Sequence, residues 1–205
     1  MGERAAIACL LACLAALPGA PARAAAALPD DSVYQLPAAL TDSASRTIRW
    51  RDLQGKSRVA TMFYTSCRYV CPMAIDSLRA IERGLTENER QRIGFVLISM
   101  DPARDTPAAL ARVMIERRLQ PGRWLLLQPR AEDLRGIAGI LGIRYRALAD
   151  GEFNHTTTLV LLDAEGRVLA RSDRLGAQGD AEFLAAVRRA IAAGAATVSD
   201  SASGR

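Results

Sequence analysis

The chain has 205 residues, half of them hydrophobic and 24% charged, with a formal net charge of +5. That describes one soluble domain with terminal additions, long enough to form a core without staples. No apolar run reaches the 18 or so residues of a bilayer-spanning helix, no fixed repeat marks a solenoid, and four cysteines are too few for a disulfide-dense scaffold. Lys56 is the single lysine among 27 basic residues, and the arginines are spread along the chain, so no nucleic-acid partner is expected.

Ala5 to Leu17 form an apolar run behind Arg4, broken by Pro18-Gly19 and followed by Ala22-Arg23-Ala24. This is the layout of a cleavable export signal over residues 1–24. Two other fates stay open: lipidation at Cys13, because Leu10-Leu11-Ala12-Cys13 resembles a lipobox, and retention as a membrane anchor. Export implies an oxidising compartment. It also leaves Cys67 and Cys71 as the only cysteines of the mature chain, in a compartment where such a pair is a disulfide, a redox couple or a metal site.

Residues 25–45 are polar and turn-rich and read as an extended lead-in over a domain spanning 46–194. Ile48 to Leu53 is expected to be a short strand. Arg58 to Thr65 is rich in β-formers and reads as a buried central strand. Pro72 is expected to open a helix that runs to about Gly84, with Ile75, Leu78 and Ile81 on its inner face. Thr86-x-x-Glu89 caps a further turn. Ile93 to Met100 is a second buried strand, and Thr106-Pro107 starts a helix toward Leu119.

Trp124 to Leu127 is a short strand, and Glu132 to Leu141 a helix. Thr157 to Leu162 and Arg167 to Ala170 form a hairpin around Asp163-Ala164-Glu165-Gly166. A last helix runs from Asp180 to about Ala192, and residues 195–205 are expected to be a disordered tail. Strands alternating with helices predict an α/β fold, with a mixed central sheet flanked by helices and a C-terminal hairpin plus helix. A cysteine pair at the first strand-to-helix junction and a late hairpin match a thioredoxin-like layout.

Cys67-Arg68-Tyr69-Val70-Cys71-Pro72 lies at that junction. A helix start favours thiolates, which are both the nucleophiles of disulfide exchange and soft metal ligands. Cysteines four apart share one face of a helical turn. His155 is the only histidine in the chain. It precedes the late hairpin, in a loop that a thioredoxin-like layout turns toward the cysteines. No proline follows Pro129, so the proline that thioredoxins keep there is absent. Two sulfurs and one imidazole suit Cu(I); Zn(II) would want a fourth ligand, and Cu(II) an added oxygen donor.

Three stretches carry a family resemblance: Phe63-Tyr64-Thr65-Ser66-Cys67-x-x-x-Cys71-Pro72, Ser99-Met100-Asp101-Pro102-Ala103-Arg104-Asp105-Thr106-Pro107, and His155-Thr156 before an apolar strand and Asp163-x-x-Gly166. Their order and spacing resemble the Sco/SenC family. The resemblance implies a periplasmic or intermembrane thioredoxin-fold copper metallochaperone with Cys67, Cys71 and His155 as metal ligands; of the two locations, periplasmic is the one expected here. Its implied acceptor is a copper enzyme, foremost the dinuclear copper centre of a cytochrome c oxidase subunit. A periplasmic thiol reductant would reopen the cysteine pair.

Asp101 and Asp105 match the family's acidic motif near the site, and each also has a local reading. Asp101 before Pro102 makes a turn, and Asp105 helps cap a helix, the reading favoured for Asp105. The alternative function is an enzyme, a thiol–disulfide oxidoreductase in which Cys67 and Cys71 are the redox pair and His155 is not needed. A peroxidase would want Pro-x-x-x-Thr-x-x-Cys. Thr61 stands where that proline belongs, and Thr65 is only two residues before Cys67.

Overall fold

The computed structural model describes residues 27–176 and 180–203. The expected signal segment lies outside the described residues. The lead-in expected over 25–45 is partly sheet. Ser32 caps a 3-10 turn at Val33–Gln35, and strand β1, Ala39–Asp42, follows. Asp42 closes the connection to β2, Thr47–Arg49, by accepting the N–H groups of Ala44 and Arg46. The strand expected to reach Leu53 ends at Arg49, because Trp50–Leu53 coil into a second 3-10 turn. This drops Trp50 into the core, where its indole N–H donates to the Val33 carbonyl at 2.8 Å.

Strand β3, Ser57–Phe63, is buried at every position, and so is β4, Ile93–Ser99. Continuous burial means that both faces of the sheet are covered. Helix α1, Val70–Gly84, and the short α2, Glu87–Gln91, connect them. Helix α1 opens two residues before Pro72, which sits harmlessly within the first turn, where its missing N–H would have had no intrahelical partner. Thr86 and Glu89 make the expected capping box on α2.

Helix α3, Pro107–Glu116, leads to β5, Trp124–Pro129, and α4, Ala131–Leu141, follows. Then comes a small hairpin, β6, Tyr145–Ala147, and β7, Phe153–His155. The late hairpin is β8, Leu159–Leu162, and β9, Val168–Ser172. Helix α5 spans Ala181–Ser203. It continues well past Ala192, into what was expected to be a disordered tail; alanines dominate there, and Gly194 is the one weak helix former before Thr197.

The main sheet has seven strands in the order β2-β1-β5-β4-β3-β8-β9. Strands β3, β4 and β5 are parallel, and β8 runs antiparallel to β3. This topology assembles the site. The parallel register that pairs Phe63 with Ser99 brings the stretch after β4 to the same end as the cysteine loop after β3. The antiparallel register, Arg58 opposite Leu162 and Ala60 opposite Val160, brings the residues that precede β8 to that end as well. Thr61 fixes this junction by donating its hydroxyl to the Thr158 carbonyl at 2.9 Å. Three stretches far apart in sequence thus meet at one edge of the core.

Candidate functional site

Cys67 lies in the turn between β3 and α1, not on the helix face expected from the four-residue spacing. Its N–H donates to the Tyr64 carbonyl at 3.3 Å, and its sulfur accepts the Cys71 N–H at 3.3 Å. The sulfur therefore takes up a donor that the start of α1 leaves free, at a helix whose N-cap residue, Tyr69, offers no side-chain cap. Burial works against ionisation of Cys67. Hydrogen bonds, led by that from the Cys71 N–H, outweigh it and hold the thiol below its ordinary pKa. Cys71 is 3% exposed, and burial pushes its thiol far up. Both cysteines are free thiols. The two thiols are thus unequal, Cys67 being the more readily ionised and Cys71 the less.

Tyr64 links this pair to the rest of the site. Its backbone N–H donates to the Cys71 sulfur at 3.5 Å, and its hydroxyl donates to Glu152 Oε2 at 2.7 Å. Its ring packs on Phe153 with centroids 5.0 Å apart and meets the His155 ring edge-on at 5.9 Å. His155 is half-buried at the end of β7. Burial holds its imidazole below the usual histidine pKa, against a smaller opposing effect of the Thr156 carbonyl, so it is neutral at pH 7. That carbonyl lies 3.2 Å from Nδ1 and can only accept, so the bond puts the proton on Nδ1 and leaves the Nε2 lone pair free.

The acidic motif frames the site from the side of β4. Asp101 makes the expected turn, its carbonyl accepting the N–H groups of Arg104 and Asp105. Its carboxylate pairs with the Arg104 guanidinium, which also donates to the Gly151 carbonyl of the β6–β7 hairpin. Asp105 does not cap a helix; Thr106 does, accepting from the Ala109 N–H. Fully buried, Asp105 accepts from the Thr65 N–H at 3.1 Å, the Thr65 hydroxyl at 2.5 Å and the Ser99 hydroxyl at 2.6 Å. The motif therefore grips the cysteine loop through Asp105 and the histidine hairpin through Arg104.

Of the three residues singled out by sequence, the structure brings Cys67 and Cys71 into direct contact, and His155 reaches them through Tyr64. Among the described residues no three His, Cys, Asp or Glu side chains gather closely enough to hold a metal ion. The donor set itself is suited to a soft ion: a stabilised thiolate, a second sulfur and a neutral imidazole with a free lone pair. Sequence reasoning missed Glu152 and the role of Tyr64. A tyrosine beside a cysteine pair signals a polar partner, since a buried hydroxyl finds one.

The SCO1/SenC family model matches residues 28–192. A Stutzerimonas stutzeri protein named for copper binding is 25% identical over 131 residues, which are 62% of this chain and 63% of that relative's length. Arabidopsis thaliana ScoI, solved with copper bound, superposes with a TM-score of 0.62 at 22% identity, covering 73% of this chain and 93% of that one. BsSco, described as having a disulfide switch and belonging to the Sco family of cytochrome c oxidase assembly proteins, gives 0.64 at 16% identity, covering 80% and 97%. At such identities these likenesses carry the fold, which is thioredoxin-like. Matched over most of its length, the chain belongs to the SCO1/SenC family.

Proposed function

We propose that this chain is a periplasmic copper metallochaperone. It holds one copper ion through Cys67, Cys71 and His155 and passes it by ligand exchange to a copper enzyme, foremost the dinuclear copper centre of cytochrome c oxidase. The observation that carries this reading is the position of the only histidine. Its neutral ring packs on the ring of Tyr64, the residue whose backbone N–H and carbonyl bond Cys71 and Cys67. Family membership, the copper-bound relative and the oxidase-assembly description of BsSco support it. Closing all three donors on one ion requires His155 to move relative to the sulfurs. The β6–β7 hairpin can make that movement, because among the described residues its two strands pair only with each other. Tyr69, 80% exposed, and the partly exposed Val70 and Met73 border the pair and give an acceptor an apolar rim to cover.

The asymmetry of the thiols favours a second reading, a thiol–disulfide oxidoreductase. The Cys67 thiolate would attack a partner disulfide, and Cys71 would resolve the mixed disulfide. Two electrons pass to the partner, and a periplasmic thiol reductant then restores the dithiol. The two readings separate on copper. A disulfide offers no thiolate, so the reduced chain is expected to bind one equivalent of Cu(I) and the oxidised chain none. Titration with thiol counting measures this. Equal binding by both forms, or none by the reduced form, contradicts the chaperone reading.

A further inference from the structure

We propose that Tyr64 is a positioning residue that latches the β6–β7 hairpin, and His155 with it, onto the sulfur pair; this rests on the copper reading of Cys67, Cys71 and His155. A two-stranded hairpin is marginal by itself, so side-chain ties decide where this one sits. Tyr145 and Phe153 pack against the core, while residues 146–150 are exposed, so polar ties add to a limited apolar hold. The ties are the Arg104 bond to Gly151 on one side and Tyr64 on the other. Tyr64 holds the hairpin twice, by its hydroxyl on Glu152 and by its ring on Phe153 and His155. The same residue is fixed to the cysteine pair by its backbone N–H on the Cys71 sulfur and by its carbonyl, which accepts the Cys67 N–H. The hairpin is thereby held beside the cysteine pair before any ion arrives, so the movement that brings His155 onto copper starts from a nearby, ordered position. Pre-ordering of this kind appears as affinity, because less ordering remains to be done on binding.

Tyr64→Phe removes only the hydroxyl and keeps the ring. Glu152→Ala removes the acceptor from the hairpin turn and leaves the core untouched, so it serves if the first variant folds poorly. Because His155 is the only histidine, acylation by diethyl pyrocarbonate reads its freedom without copper. Each variant is expected to acylate several-fold faster than wild type in the reduced, copper-free protein, and the double variant no faster than either. Cu(I) affinity by chelator competition should fall about tenfold in Tyr64→Phe, the scale of outer-shell changes. It should not fall further when the same change is made in a His155→Ala background. Wild-type acylation rates, or an equal loss of affinity in both backgrounds, overturn the latch and leave the copper reading standing. Wild-type copper affinity in His155→Ala overturns the copper reading itself and is seen independently of the acylation rates.

Discussion

Replacing Cys67 or Cys71 with serine is expected to abolish high-affinity Cu(I) binding. Cu(I) prefers soft thiolates, and a serine hydroxyl is neither soft nor ionised near neutral pH. The loss should exceed about a hundredfold, the upper range of outer-shell changes. The fold should survive either change. In Cys67→Ser the new hydroxyl can still accept the Cys71 N–H at the start of α1, and in Cys71→Ser it can still take the Tyr64 N–H that the sulfur accepts now. Chelator competition on folded, reduced variants measures the effect. Retention of wild-type affinity by either variant would remove that sulfur from the site.

Asp105→Ala is expected to cost about 3 kcal/mol of stability, since it strands the Thr65 N–H and two hydroxyls in a buried place, each such loss costing about 1–3 kcal/mol with partial relaxation. In a chain of this size that lowers Tm by roughly 6–12 °C. Burial raises the Asp105 pKa, more than its hydrogen bonds from Ser99 and Thr65 lower it. A raised carboxylate pKa means that ionisation disfavours the folded state, and the penalty grows as pH rises above the unfolded value. Asp105→Asn removes the charge and keeps an acceptor, so it should be far milder than alanine. Thermal unfolding of the copper-free protein decides this. An alanine variant that melts with wild type would show that Asp105 does not hold the cysteine loop.

The pattern of buried strands and helices was legible because β3 and β4 are long apolar runs and the helices carry clear start signals. Strand β1 was not, since Ala39-Leu40-Thr41-Asp42 has a single large apolar residue and gains its place from pairing with β5. The β6–β7 hairpin was missed for a similar reason. Its strands have three residues each, too few for periodicity to register, and its position depends on contacts from Tyr64 and Arg104. The cysteine pair and His155 stood out as rare, chemically specific residues. Glu152 did not, because a lone acid in a glycine turn looks like any solvated loop. Asp105 was misread as a cap because the adjacent Thr106-Pro107 supplies a real helix start, and nothing local reveals that its carboxylate turns inward to Thr65.

His155 separates copper handling from thiol chemistry alone, so its replacement bears most directly on the account. The measurement is Cu(I) affinity by chelator competition on reduced His155→Ala, run beside a disulfide-reduction assay on the same protein. Loss of a direct ligand should weaken copper binding by about a hundredfold or more, beyond the outer-shell range. Disulfide exchange through Cys67 and Cys71 should persist. Wild-type copper affinity in His155→Ala would contradict the account and leave this chain a thiol–disulfide oxidoreductase.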